Sequence, residues 1–343
     1  MREQPAIVVA SNRGPIAIET GADGAPTVRR GSGGLVTALT ASLHERCGAW
    51  VASAMTEGDR AVARGTVAVD LPFRVRFLDL PAADYDGAYN GVANGLLWFV
   101  HHSLWDTVRS PTFDDGVTRV WEAYERVNEA FAHALAEEAG RLPGRPAYLV
   151  QDYHLALVPA MLRALDPDAR IAHFSHTSFA PPTYLRILPR RVADGVLFGM
   201  LGADVLGFHA RAWAEHFLLG ARTLPGVHAD TARGRVLHDG RDVRARVHPI
   251  AIDARGLRRE AAGETVAARR RELAGRPLAV VGDTIREQAD MVGQITGGLW
   301  RRQRGRRPVQ DRTKLPDEMV PGVGVSQRAR DGEQEVLQVE CLD

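Results

Sequence analysis

Two short apolar runs, each stopping abruptly in a cluster of polar and ring-bearing residues, constrain this chain more than any other feature. The first is Tyr148-Leu149-Val150, continued by Gln151-Asp152-Tyr153-His154-Leu155. The second is Ile171-Ala172-His173-Phe174, continued by Ser175-His176-Thr177-Ser178-Phe179-Ala180-Pro181-Pro182. A short apolar run bounded by polar residues reads as a buried strand, and the spacing predicts a helix over Leu155 to Leu165, with Pro159 near its first turn. Strand, helix, strand makes a βαβ unit, whose two strands run parallel. Ligands of open α/β sheets bind outside the carboxyl ends of parallel strands, so both polar clusters are predicted to face one site.

The rest of the chain up to about Gly275 follows the same alternation. Ala6 to Ala10 reads as a first buried strand. Val117, Val120, Trp121, Tyr124, Val127, Phe131 and Leu135 recur at steps of three or four and predict an amphipathic helix from Val117 to Ala139, ended by Gly140 and Pro143. Helices are predicted near Val192 to Leu201 and Ala210 to Ala221, strands at Asp204 to Phe208 and Val243 to Val247, and a hairpin turn at Asp239-Gly240. Pro277 to Gly282 still reads as a strand. From Asp283 to Asp343 there are 21 charged residues in 61, with no sustained period of 2 or 3.6.

Composition narrows the function classes. In 343 residues, 43 basic side chains nearly balance 42 acidic ones, so no global field attracts nucleic acid or a membrane surface, and an anion must be caught locally. The run Arg301-Arg302-Gln303-Arg304-Gly305-Arg306-Arg307 reads as solvated surface rather than a nucleic-acid contact. Cys47 and Cys341 stand in no metal-ligand spacing and fit a reducing compartment. No window approaches the roughly 20 apolar residues of a membrane helix, and the first apolar run is too short for a signal peptide. These features predict a cytoplasmic protein.

Four constellations could carry chemistry. Ser11-Asn12-Arg13-Gly14-Pro15 with Arg30-Gly31-Ser32-Gly33-Gly34-Leu35 joins a strand end to a glycine-rich turn opening a helix, where backbone N–H groups and a guanidinium can meet a phosphate. Taken alone, such a turn is equally a tight bend. Tyr89-Asn90-Gly91 through Trp98, followed by His101-His102, pairs aromatic faces with polar edges as sugar rings require, although Tyr89 and Trp98 read by themselves as core residues. Asp152 with His154 is the third, and His176 before two prolines is the fourth. Each taken singly also fits a satisfied structural polar group.

Together these segments carry a resemblance. Ser11-Asn12-Arg13, Gly33-Gly34-Leu35, Tyr89 with Trp98, Gln151-Asp152-Tyr153-His154-Leu155, His176, Arg186-Ile187-Leu188-Pro189, Gly207-Phe208 and His248-Pro249-Ile250-Ala251-Ile252-Asp253 stand in the order found in the α,α-trehalose-phosphate synthases of glycosyltransferase family 20. The chain resembles the amino-terminal domain of that family, of the actinobacterial kind, over roughly residues 6 to 255. The resemblance implies an α/β fold of GT-B type, in which two Rossmann-like domains face each other across a cleft. Residues 1–250 would form the Rossmann-like acceptor-binding domain, 251–282 the link and start of a second, incomplete domain, and 283–343 a divergent tail.

It also implies transfer of glucose, with retention, from UDP-, ADP- or GDP-glucose to glucose 6-phosphate, giving trehalose 6-phosphate with no metal and no cofactor beyond the nucleotide sugar. Arg13, Tyr89 and Trp98 would hold the acceptor and its phosphate, and Asp152 would take acceptor hydroxyls. Gly33 and Gly34 would approach the donor diphosphate, and His176 would contact the transferred sugar. Asp152 and His176 are thus the expected catalytic residues. No carboxylate nucleophile is needed, because the departing phosphate oxygen would take the acceptor proton on the same face, leaving orientation and charge stabilisation as the work of the protein.

The chain departs from the family after residue 280. An arginine, and a lysine five residues later, should follow that strand to clamp the diphosphate, yet Val280-Val281-Gly282-Asp283-Thr284-Ile285-Arg286-Glu287-Gln288 lacks the pair and the only lysine is Lys314. The departure reads as a truncated second domain, or as a shifted reading frame from Asp283. The sequence therefore leaves three readings open: a glycosyltransferase of this type, a non-catalytic sugar-phosphate-binding remnant, and a related pseudo-glycosyltransferase. It also leaves the oligomeric state open, a homo-oligomer included.

Overall fold

The structure, a computed structural model, describes residues 5–20, 25–31, 36, 39–40, 43, 48–67, 71, 73–105, 113–249 and 254–273. It divides into two compact units, Met1–Ile252 and Asp253–Asp343. In the second unit the described residues form two exposed helices, Ala254–Ala261 and Glu264–Leu273. The strand expected at 277–282, the expected tail at 283–343 and the basic run at 301–307 lie outside the described residues.

The first unit is built on a nine-stranded sheet in the order β5-β4-β1-β6-β7-β8-β11-β10-β9. Its strands are β1 Ile7–Ser11, β4 Gly48–Ser53, β5 Arg74–Leu78, β6 Ala147–Gln151, β7 Arg170–Ser175, β8 Val205–Phe208, β9 His228–Asp230, β10 Arg235–His238 and β11 Arg241–Val247. A separate hairpin pairs β2 Ile16–Thr20 with β3 Pro26–Arg30. From β5 through β11 every neighbouring pair is parallel, and β10 alone is reversed, antiparallel to both β11 and β9. The carboxyl ends Ser11, Ser53, Gln151, Ser175 and Phe208 therefore share one edge of the sheet.

The chain leaves β1 for β4 and β5 on one side, then returns to lay β6, β7 and β8 on the other. The order thus reverses between β1 and β6, and a crevice forms at such a reversal because the connections on either side diverge. Five β1 side chains in a row are buried, as a strand covered on both faces requires. The larger core cluster gathers Val8, Val51, Val150 and Leu206 with Trp121, Tyr124 and Phe131 of the helix Asp115–Ala139, and a smaller one gathers Ile7, Trp50 and Phe77.

Local chemistry accounts for the element boundaries. The long helix begins two residues before its apolar stripe because Asp114 caps it, accepting the Gly116 N–H at 2.8 Å. The helix expected over Leu155 to Leu165 is instead a 3₁₀ turn, Tyr153–Leu155, followed by an α-helix, Val158–Leu165, with Pro159 in its first turn. Side chains of the long helix take the intervening N–H groups: Ala156 N–H donates to Tyr124 Oη at 3.2 Å, and Leu157 N–H to Asn128 Oδ1 at 3.1 Å. The β10–β11 hairpin turns through Asp239 and Gly240 at φ of 47° and 73°, the two positive values that a two-residue loop needs.

The segment from Ala82 to His101 stays helical but widens between Gly87 and Leu97, where bonds span five residues; the Trp98 N–H reaches the Ala93 carbonyl. It lies close against the long helix, so that a Cβ on Gly91 would stand 2.8 Å from Val120 Cβ. Val120 is stiff about χ1 and has little room to yield. Gly91→Ala should therefore lower the unfolding free energy by about 1–3 kcal/mol, measured by denaturant titration, because an overpacked contact with a β-branched side chain at its Cβ does not relax cheaply.

Candidate active site at the strand ends

The end of β1 is set by side chains that bond to the backbone. Trp50 Nε1–H donates to Ser11 Oγ at 2.8 Å, and Ser11 Oγ–H donates to the Arg13 carbonyl at 2.6 Å, turning the chain so that Arg13 leaves the sheet at its edge. Asn12, nearly buried, donates from Nδ2 to Tyr85 Oη at 3.2 Å. Arg13 donates from Nη2 to Tyr89 Oη, also at 3.2 Å.

Tyr85 and Tyr89 come from the widening helix. Their rings stack 5.5 Å apart at 9°, and Tyr89 stacks in turn on His154 at 5.6 Å and 19°. His154 lies on Tyr153 at 4.3 Å. Tyr153 O–H reaches Asn94 Oδ1 at 3.3 Å, so a ring stack crosses from the β1 side to the β6 side. Burial favours the neutral Tyr89 phenol, but hydrogen bonds with Arg13 and Asn94 and the arginine charge bring its pKa below the ordinary value.

Asp152, directly after β6, has φ 70° and ψ 170°, a conformation that is nearly confined to glycine and costs roughly 1–3 kcal/mol. Its N–H donates to the Phe174 carbonyl at 2.7 Å, its carbonyl accepts from His173 Nε2 at 3.2 Å, and its carboxylate accepts the backbone N–H groups of Tyr153, His176 and Thr177. Burial outweighs those bonds and pushes the carboxyl pKa up to about 6. The residue thus has a structural role as well, since it ties the end of β6 to the loop after β7.

Burial lowers the His154 pKa to about 4, helped by the Arg13 charge, so its 3.9 Å approach to Asp152 is not an ion pair at neutral pH. His176 Nε2 lies 2.8 Å from Gln151 Oε1, and burial and nearby His209 lower its pKa to about 4. Its ring packs against Phe174 at 4.8 Å and His209 at 5.6 Å.

The structure thus brings Arg13, Tyr89, Asp152 and His176 to one edge, at the reversal between β1 and β6 and on the neighbouring strand end. Trp98 lies just beyond the wide helix, its ring 4.5 Å from that of His102, whose Nδ1 lies 2.7 Å from the Trp98 carbonyl. Among the described residues Trp98 makes no ring contact with Tyr89 or His154. Gly33 and Gly34 lie outside the described residues. A hollow of about 600 Å³ lined by Arg222, His228, Arg233 and Arg235 belongs to the far β9–β10 edge and shares no residue with this cluster.

Sequence reasoning missed three supports. Asn128 is fully buried; its Nδ2 donates to the Tyr124 carbonyl at 2.9 Å and the His154 carbonyl at 3.2 Å, while its Oδ1 takes the Leu157 N–H. Tyr124 O–H donates to the Tyr153 carbonyl. His101 accepts the Ala180 N–H at Nδ1, 3.1 Å away, and its carbonyl takes the Ser178 hydroxyl at 2.7 Å, anchoring the loop after His176. The available signal was a polar residue on an apolar stripe, since Asn128 stands four residues after Tyr124 and three before Phe131.

The sequence profile of Glycosyltransferase family 20 matches residues 5–295. This chain belongs to glycosyltransferase family 20. Among relatives, it is 37% identical over 276 residues to a trehalose-6-phosphate synthase of Mycobacterium ulcerans, covering 78% of this chain and 52% of that protein. The corresponding Mycobacterium tuberculosis enzyme is 35% identical over 280 residues, covering 78% of this chain and 53% of the relative. The family 20 chain thus spans about half the length of the curated relatives it matches. Its fold matches an α,α-trehalose-phosphate synthase (UDP-forming) of Burkholderia vietnamiensis at a TM-score of 0.59 and 26% identity, over 80% of this chain and 55% of that one. An E. coli structure bound with UDP-2-fluoro glucose matches at 0.60 and 24%, over 78% and 54%. The α/β sheet is the Rossmann-like half of the GT-B architecture those structures share.

The titrating groups of this family 20 site set a pH dependence whose sign can be worked out. His101, His154, His173 and His176 have pKa values lowered by burial, to about 3 for His101 and about 4 for the others. Each protonates first in the unfolded chain, so each removes stability as pH falls from about 6.5 towards 4. Asp152 is raised, holds its proton longer when folded, and adds stability as pH falls through about 6. Four against one, the melting temperature should drop between pH 7 and 5, and Asp152→Asn should steepen that drop by removing the opposing contribution. Scanning calorimetry across this range would check both slopes.

Proposed function

We propose that this chain is the acceptor-binding half of a retaining glycosyltransferase of the trehalose-6-phosphate synthase type, with glucose 6-phosphate as the acceptor. The observation that carries the reading is the pair formed by Arg13 and Tyr89, stacked on His154 beside Asp152, where the strand order reverses between β1 and β6. A guanidinium is positive throughout the working pH range and offers a planar fork to phosphate oxygens, while the phenol adds a hydroxyl to the same anion. Asp152 is mostly a carboxylate at pH 7 and can accept protons from sugar hydroxyls.

In the full reaction the acceptor's anomeric oxygen attacks C1 of the glucosyl group as the bond from C1 to the diphosphate oxygen breaks. The acceptor proton passes to that departing oxygen on the same face. Nothing in this scheme asks for a metal or a further cofactor. The residues named here bind and orient, which is where most of the rate advantage lies when two substrates must meet in one geometry. UDP-, ADP- or GDP-glucose would supply the sugar over Gly33, Gly34 and His176.

The reading is tested by titrating the chain with glucose 6-phosphate, glucose and inorganic phosphate, then incubating it with glucose 6-phosphate and the three nucleotide sugars while following trehalose 6-phosphate by mass. Glucose 6-phosphate should bind more tightly than either fragment. Arg13→Ala should weaken it about tenfold to a hundredfold, the worth of a hydrogen bond to a charged group, with the melting temperature unchanged because Arg13 is exposed. Equal affinity for glucose 6-phosphate and for free phosphate would overturn the acceptor assignment. Binding without product would favour a sugar-phosphate-binding protein that does not turn over.

A further inference from the structure

Gln151 closes β6, is 5% exposed, and sits opposite Phe174 of β7. Its Oε1 lies 2.8 Å from Nε2 of His176. An amide oxygen offers only lone pairs, so the ring nitrogen that meets it carries the proton. A neutral imidazole has a single N–H, which leaves Nδ1 with its lone pair, and Nδ1 of His176 makes no hydrogen bond among the described residues.

We propose that Gln151 is a positioning residue that fixes His176 as its Nε2–H tautomer, so that Nδ1 faces the site as a hydrogen-bond acceptor for a sugar hydroxyl. Its role in sugar recognition rests on the functional reading above, but the tautomer itself does not.

The groups around the ring are consistent with a neutral imidazole. The Asp152 carboxylate is already taken up by backbone N–H groups, that of His176 itself at 3.2 Å among them. On the other side stand His209, 5.6 Å away, and Phe174, whose ring in turn meets His248 at 6.4 Å. His209 Nδ1 lies 3.1 Å from the His248 carbonyl, which commits that nitrogen as a donor as well.

The arrangement gives the site a direction. A lone pair on Nδ1 repels phosphate oxygens and attracts hydroxyl protons, whereas Arg13 does the reverse. A hexose phosphate or the sugar of a nucleotide sugar would therefore lie with its anion over β1 and its hydroxyls towards β6 and β7. Replacing Gln151 by an acid would upset this order, because a carboxylate against Nε2 would hold the imidazole protonated and turn Nδ1 into a donor.

The test is nitrogen-15 NMR of the imidazole rings in the full chain at pH 7 without ligand, with the His176 signals assigned by their loss in His176→Asn. The expected result is a protonated Nε2 and an unprotonated Nδ1 in the native chain. In Gln151→Leu the two tautomers should mix, and in Gln151→Glu the His176 titration midpoint should rise by about two units. A proton found on Nδ1 of the native chain would overturn the proposal, as would a Gln151→Glu midpoint matching the native one. Should the buried leucine variant fail to fold, the native spectrum decides alone. Because the tautomer is read without ligand, failure of glucose 6-phosphate to bind would sink the functional reading and leave this result standing.

Discussion

The site depends on one residue held where its backbone would not rest by itself. Asp152 occupies a region of φ and ψ that an L side chain avoids, and six hydrogen bonds to its own N–H, carbonyl and carboxylate keep it there. Those bonds come from Tyr153 and Leu155 and from β7 with its following loop, so the strained corner joins two strand ends. The long helix braces the next turn through Tyr124 and Asn128, and His101 braces the loop beyond His176. A strained residue persists only when its surroundings over-determine it, and here Tyr153, Leu155, His173, Tyr124, Asn128 and His101 among them are buried.

Charge is distributed across the edge in a way that follows from burial. Arg13 sits exposed at the end of β1, where its guanidinium remains solvated and charged. The imidazoles of His154, His173 and His176 are covered enough to stay neutral. Asp152 lies between these regimes, with a charged form that is costly yet supported by backbone donors. Among its described residues the site therefore offers one permanent cation, one titrating anion and several uncharged rings over most of the working pH range. That inventory suits a ligand with a single anionic group and many hydroxyls.

Much of this was legible in the sequence, because strand ends and the aromatic and polar side chains that suit a sugar are local patterns. The runs ending in Val150 and in Phe174 marked β6 and β7, and Asp239-Gly240 marked its turn through the positive φ it demands. Arg13, Tyr89, Asp152 and His176 were drawn together by their order along the chain rather than by any contact that a sequence can display. The strands β4 and β5 stayed hidden, since Gly48–Ser53 is rich in alanine and Arg74–Leu78 alternates arginine with apolar residues at the sheet's edge. The break after Leu155 was hidden too, because it depends on Tyr124 and Asn128 reaching in from a helix some thirty residues earlier. Tertiary partners decided those features.

The wide helix from Gly87 to Leu97 has a bearing on how length variation could be tolerated. In an α-helix residues five apart point about 140° away from one another, whereas in a helix bonded over five residues they share a face. Tyr89 and Asn94 are five apart, and Asn94 approaches Tyr89 closely enough to help lower its pKa, an approach that the wider pitch allows. Removing residues between them would take that pairing apart, because each α-helical residue turns the chain further than a residue of the wide helix does. Trp98 and His101 follow directly on the wide turns, so the number of residues in them sets the direction in which both side chains leave the axis. Chain length in this stretch is therefore itself a specification, equivalent to fixing the angle at which one wall of the crevice stands.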